Sequence, residues 1–217
     1  MIVAIDGPAG SGKSTIARML AQGLGFTYVN SGNIYRAMTL RLLRLGIDLG
    51  DARAIIGSSA EARIEYRLGC LFLDDSDAED ELHSGPVDAQ VAQVSAIPAL
   101  RDIVNGHVRR IAGGSDAVVE GRDMTTVVFP DADAKFFLDA SADARARRRF
   151  DQGLSDKSFE EIRDNISMRD EIDRSKSVGA LKISPDAVYL DSSYLTIQEV
   201  YDKVYAKILQ LREHNGR

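Results

Sequence analysis

The stretch GPAGSGKST at residues 7–15 restricts this chain more than any other. It stands between a short apolar run, residues 2–5, and a segment with Ile16, Met19, Leu20 and Leu24 on one helical face, stopped by Gly25. A stretch with three glycines has few side chains to pack and many backbone N–H groups to offer. It suits a chain that must come very close to negative charge. Residues 7–14 fill every fixed position of G-x-x-x-x-G-K-[ST], in the required context of a strand before and a helix after. The glycines let the backbone curl so that N–H groups point at phosphate oxygens, reinforced by the helix N-terminus. Lys13 supplies a point charge for β- and γ-phosphates, and Ser14 offers its hydroxyl to Mg²⁺. The expected triphosphate loop is therefore Gly7, Pro8, Ala9, Gly10, Ser11, Gly12, Lys13, Ser14 and Thr15.

Strand-like and helix-like segments alternate after this loop. Residues 26–29, 117–119, 134–138 and 187–190 have the short apolar form of buried strands, and 64–73 that of a strand or hairpin. Ile34, Met38, Leu42 and Leu45 mark a helix ended by Gly46, and Leu100, Ile103, Val104, Val108 and Ile111 mark another ending at Gly113-Gly114. Ser158 with Glu161, and Thr196 with Glu199, have capping-box spacing. The run DDSDAEDE at 74–81 is expected to be a solvated acidic loop. Such alternation predicts an α/β fold with a parallel sheet.

The balance of 27 basic and 33 acidic side chains, a net charge of −6, argues against a protein that coats nucleic acid. A single cysteine, Cys70, excludes an intrachain disulfide framework and a cysteine-based zinc site. No apolar run approaches the length of a membrane span, so a cytoplasmic protein, with no membrane partner, is the expectation.

What the triphosphate serves is narrowed by what is missing. The GTPase signatures D-x-x-G and N-K-x-D do not occur, and the strand AVVEG is followed by Arg122-Asp123, a less usual ending than the acidic ATPase form. A small kinase remains. It needs a second anion site and cations around the transferring group, because phosphoryl transfer is mainly positioning and charge stabilisation. Arg36 lies on the first turns of the helix after the second strand, and Arg122 just beyond a strand's C-terminal end, where open α/β sheets bind ligands. Arg169 and Asp173, four apart, can point at one ligand together. Arg145, Arg148 and Arg149 share a helix face that reads equally as a solvated surface. Any one of these arginines is more simply a surface residue; gathered in an acidic chain, at loop and strand ends, they suggest anion binding.

The segments IDGPAGSGKST, SGNIYRA, VSAIPALRD, EGRDMTTVVFPDADAKFFLDAS, ARARRRF, RDEIDRS and YLDSSYLTIQEV bring a family with them. Over essentially its whole length the chain resembles bacterial cytidylate kinase, a nucleoside monophosphate kinase. The resemblance implies a P-loop core (1–30, 100–140 and 179–217), a monophosphate-binding insertion (31–99) and a short helical lid (141–178) whose closure excludes water. It implies phosphoryl transfer from MgATP to CMP or dCMP, with Lys13, Arg122 and Arg169 as the catalytic cations; a monomer is the expectation. Carried over residue by residue, Ser31, Arg36, Arg101, Arg122, Asp123, Arg169, Asp173 and Lys176 would bind the acceptor. Of these, Arg36 and Arg122 would hold its phosphate, while Arg101 and Asp123 would read cytosine. An aspartate suits cytosine because it accepts from the exocyclic N4 donor, where uracil shows an oxygen. Two alternatives stay open: a kinase for another nucleotide or small acceptor, and an ATP-binding regulator without transfer activity.

The chain departs from the family's pattern at four positions. Asn30 stands where aspartate is frequent, His83 where an arginine is usual, Ala92 where a hydroxyl can face the sugar, and Lys176 where an arginine is expected. Lysine cannot make arginine's planar bidentate contact.

Overall fold

The computed structural model describes residues 1–67, 69–153 and 157–214. Leu68 of the expected hairpin, 154–156 of the expected lid and 215–217 of the expected core lie outside the described residues. In chain order the elements are β1 (Ile2–Asp6), α1 (Lys13–Leu24), β2 (Thr27–Asn30), α2 (Ser31–Arg44), α3 (Ala52–Ala60), β3 (Ile64–Arg67), β4 (Cys70–Leu73) and β5 (Ser76–Asp77). There follow α4 (Gly85–Ser95), α5 (Pro98–Ala112), β6 (Ala117–Gly121), a π turn at Met124–Val128, β7 (Ala134–Asp139), α6 (Ala142–Asp151), α7 (Phe159–Ser175), β8 (Val188–Asp191) and α8 (Ile197–His214). Two compact units result: Met1–Tyr28 with Ser115–Arg217, and Val29–Gly114.

The first unit is built on a five-stranded sheet of order β2-β6-β1-β7-β8. β1 pairs in parallel with β6 and β7, and β7 with β8, so the expected α/β class with a parallel sheet is what forms. β6 is buried along its whole length and β7 up to its last residue, as strands covered by helices on both faces must be. Val3, Ile5, Val118, Phe136 and Leu138 meet Ile16 and Leu20 of α1 and Val200, Val204 and Ile208 of α8 in one core. Gly25 ends α1 in the left-handed conformation, as expected of a C-terminal glycine. Ala146, Ile162 and Ile166 form a smaller cluster joining α6 to α7. Both capping boxes form: the Ser158 hydroxyl accepts from Glu161 N–H while the Glu161 carboxylate accepts from Ser158 N–H, and Thr196 and Glu199 repeat the exchange.

The second unit packs α2 against α3, α4 and α5, with an antiparallel sheet of order β3-β4-β5. Ile34, Met38 and Leu42 face its interior, together with Ile55, Ile64, Leu71, Leu73, Leu100 and Val104. The acidic stretch 74–81 differs from the solvated loop expected of it. It contains β5 and a short 3₁₀ turn at Glu79–Glu81, and Ala78 within it is buried. Asp75, Ser76, Asp77, Asp80 and Glu81 are exposed, as a solvated stretch should be, but four of its six carboxylates have partners outside it: Asp74 accepts from Arg41 and from Arg63 N–H, Asp75 pairs with Arg63 and Arg67, Glu79 accepts from Leu71 N–H, and Glu81 pairs with Arg44. Partners so distant in sequence turn a charge run into ordered structure.

Candidate active site

The loop between β1 and α1 has the geometry its glycines predict. Gly7 has φ of +153° and a Cβ there would collide with the Leu138 carbonyl oxygen, so no other residue fits. Gly12, at φ +95°, stands at the N-cap of α1 without a side chain to fill the helix end. Ser14 and Thr15, on the first turn of α1, are exposed, while Lys13 is buried. Lys13 Nζ donates to the Pro8 carbonyl at 2.9 Å.

Burial, and secondarily the Arg122 charge, push the Lys13 ammonium down to about 7, against the opposing pull of Glu120, Asp6 and Asp173. Folding thus lowers this pKa from 10.5 to about 7. Between those values the unfolded chain holds the proton and the native state has shed it, so the penalty this group places on stability shrinks as pH rises through that window. A bound polyphosphate favours the ammonium. At pH 8, ATP binding is therefore expected to take up close to one proton. Calorimetric titrations in two buffers of different protonation enthalpy read that uptake, which Lys13→Met abolishes.

The expected cationic residues of this unit converge around Asp173. Arg122, directly after β6, donates through Nε to Asp173 Oδ2 at 2.8 Å, and Lys176 Nζ donates to Oδ1 at 2.8 Å. Burial alone would raise the Asp173 carboxyl, but Arg122 and Lys176 outweigh it and hold it down at about 2. Arg169 lies one turn earlier on α7, exposed. Asp123 is buried and opens the π turn. Lys176 thus ends α7 as a charge partner of Asp173, in the place where the resemblance leads one to expect arginine's fork.

In the second unit Ser31 opens α2 and is buried, and Arg36 donates to the Leu82 carbonyl and to Asp88. Arg101, buried on α5, lies 5.5 Å from the centre of the Tyr35 ring. Asn30 is the N-cap of α2, its side chain accepting from Asn33 N–H. Asparagine caps as well as aspartate, so this departure leaves the helix start intact. The His83 imidazole is pushed below its ordinary value by partial burial and then by Arg36, which opposes its use as a phosphate-binding cation. Ala92 is exposed on α4.

The arginine face of α6, which the sequence left ambiguous, is turned to the phosphate loop. Arg145 is buried; it donates to the Ala9 and Ala140 carbonyls and makes a two-pronged pair with Asp170 of α7, at 2.9 and 2.5 Å. Arg148 donates to the carbonyls of Ser11 and Ser192. The Ser192 hydroxyl also donates to Ser11 at 3.2 Å. Arg149 is pushed below its ordinary value by burial and by Arg145 and Arg122. Asp6, Asp170 and Ser192 are the residues bonded around this loop and its neighbouring strand end that sequence reasoning missed. Only Asp6 left a signal, as a carboxylate closing an otherwise apolar strand directly before the loop.

Among the described residues no helix is long and apolar enough to cross a membrane. The fold is matched by a shikimate kinase from Bacteroides thetaiotaomicron, at a TM-score of 0.50 and 13% identity over 98% of both chains, and by an uncharacterised protein from Eubacterium ventriosum, at 0.51 and 12% over 96% and 98%. Sequence relatives are much nearer. A cytidylate kinase of Caldanaerobacter subterraneus is 42% identical over 210 residues, covering 95% of this chain and 93% of the relative. Cytidylate kinases of Mycolicibacterium paratuberculosis (42%, covering 98% and 97%) and Solibacter usitatus (40%, covering 100% and 95%) are as similar. The family model for cytidylate kinase matches residues 3–210, from the first core strand into α8. The family model spans both units, and these relatives cover nearly the whole chain: this chain belongs to the cytidylate kinase family.

Proposed function

We propose that this protein transfers the γ-phosphoryl group of MgATP to CMP or dCMP, giving ADP and CDP or dCDP. The observation that carries this reading is the register of the two central strands. Asp6, the last residue before the phosphate loop, stands opposite Gly121, the last residue before Arg122 and Asp123. The donor loop and the acceptor-reading pair therefore leave the sheet side by side, at the C-terminal edge where such sheets bind ligands.

Residues 7–15 hold the triphosphate, with Lys13 as its charge partner. Ser14 suits Mg²⁺: its hydroxyl is exposed on the first turn of α1. Among the described residues no group of three or more His, Cys, Asp or Glu is disposed to hold an ion, which fits a metal brought in by the nucleotide's phosphates. When bound, Mg²⁺ supplies charge neutralisation across the phosphates. Arg36 and Arg122 take the acceptor phosphate. Asp123 and Arg101 read the base, and Ser31, Arg169, Asp173 and Lys176 complete the acceptor contacts. No protein nucleophile is required, because the monophosphate dianion attacks the γ-phosphorus in line. We assign monophosphate binding to 31–99 and the lid to 141–178, which carries α6 and α7, and expect a cytoplasmic monomer.

ADP release coupled to a panel of nucleoside monophosphates tests the reading. CMP and dCMP should exceed UMP in kcat/KM by about tenfold or more, because uracil leaves the buried Asp123 facing an oxygen, a loss of about 1–3 kcal/mol. Asp123→Ala should flatten that preference while ATP affinity holds. Equal use of CMP and UMP removes the role given to Asp123; ATP turnover without any acceptor dependence removes the kinase reading.

A further inference from the structure

Asp6 is fully buried at the end of β1 and belongs to neither ligand set assigned above. Strand alternation puts it on the face of buried Ala4, opposite the core side chains Val3 and Ile5. A buried carboxylate is costly unless donors converge on it, and three do. Oδ1 accepts from Met124 N–H at 2.9 Å, and Oδ2 from Thr125 N–H at 2.7 Å and from the Thr125 hydroxyl at 2.6 Å. All three donors lie on the two residues that follow Asp123. They open the π turn Met124–Val128, whose first N–H groups have no carbonyl of their own turn to reach. At the far side of the same turn the Asp123 carbonyl accepts from Val127 and Val128 N–H.

The ladder and the side chain act on one short segment from both ends. The chain leaves β6 at Gly121, the residue opposite Asp6. It passes through Arg122 and Asp123, and is caught again at Met124 and Thr125 by the Asp6 carboxylate. Two residues between two fixed points have little freedom, and they are the two that the kinase reading makes responsible for acceptor phosphate and base. Asp6 also adds to the negative charge that supports the ammonium of Lys13.

We propose that Asp6 is a positioning residue for acceptor choice: through Met124 and Thr125 it fixes the backbone that presents Arg122 and Asp123. The proposal rests on the CMP kinase reading above and adds a residue that touches neither substrate.

Thr125→Val removes one of the three donors and keeps the volume; Thr125→Ser keeps the donor. Thr125→Val should lower kcat/KM for CMP about tenfold and shrink the CMP-over-UMP preference, with KM for ATP held within about twofold. Thr125→Ser should stay near wild type, and Asp6→Asn should move the same quantities further, since its amide meets an N–H head-on. Should Asp6→Asn fail to fold, the two Thr125 variants still decide. Lower Tm with an unchanged CMP:UMP ratio makes Asp6 purely structural and overturns the proposal. In Thr125→Val, which leaves the Asp6 charge beside Lys13 in place, a KM for ATP that rises in step with that for CMP overturns it as well, since the clamp would then serve the phosphate loop. A wild-type protein without CMP preference brings down the kinase reading and this proposal together, whereas a CMP preference that survives Thr125→Val brings down this proposal alone.

Discussion

Lys13→Ala is expected to abolish measurable phosphoryl transfer and leave the fold in place. Removing one preorganised donor at a developing oxyanion costs about 10²–10³ in kcat. Lys13 also carries a full charge toward the β- and γ-phosphates, so the loss is expected to exceed that range. The fold is expected to survive because of where Lys13 sits. Burial and Arg122 already disfavour the ammonium, so deleting it relieves a penalty that offsets the lost packing of its stem. Coupled ADP release measures the first effect and thermal unfolding by circular dichroism the second. Near-normal turnover would take the phosphate loop out of the mechanism; a collapse of Tm would make Lys13 a structural residue.

Arg145→Ala is expected to produce the largest loss of stability. Both partners of the Arg145–Asp170 pair are buried, with side-chain exposures of 3% and 8%. Removing the guanidinium leaves a carboxylate without its counter-charge, at a cost of about 3–5 kcal/mol. For a chain of this size that lowers Tm by about 10 °C or more. The Ala9 and Ala140 carbonyls lose a donor at the same time. Replacing both partners, Arg145→Met with Asp170→Leu, should restore much of the stability, because no buried charge is then left unpaired. The double variant should still bind ATP weakly, since the tie to Ala9 is not rebuilt. If Arg145→Ala unfolds like wild type, the pair carries no stability.

These two predictions differ in how far the sequence pointed to them. Lys13 is legible because its motif is local: seven neighbours state what the eighth is for. The strands β1, β6 and β7 are legible for the same reason, as apolar runs read directly, and Gly25 and the capping boxes mark helix ends by local chemistry. Arg145 is not legible. Its face on α6 has the spacing of a solvated helix, and what buries it is Asp170, far along the chain and reached only once Ala146 packs on Ile162 and Ile166. α3 and α4 went unnoticed because each buries only two residues, Ile55 and Ser59 in one, Val87 and Val94 in the other, too few to set a period. The acidic stretch 74–81 failed in the opposite direction, since composition shows charge but not the arginines waiting for it. Asp6 was visible as a residue and invisible as a clamp, because its donors lie more than a hundred positions away.

Three carbonyls of the phosphate loop are held by the protein's own side chains. That of Pro8 goes to Lys13, that of Ala9 to Arg145, and that of Ser11 to Arg148 and Ser192. Oxygens drawn toward the protein's own cations cannot face an incoming phosphate, so the loop's electrostatic sense is set during folding. Its ordering entropy is likewise lost then, rather than being charged against nucleotide affinity. The mould for the anion is cast by α6, a helix whose arginines reach the backbone behind the loop. Sequence drift on that helix is therefore expected to register as a change in how tightly nucleotide is held, through the backbone those arginines tie.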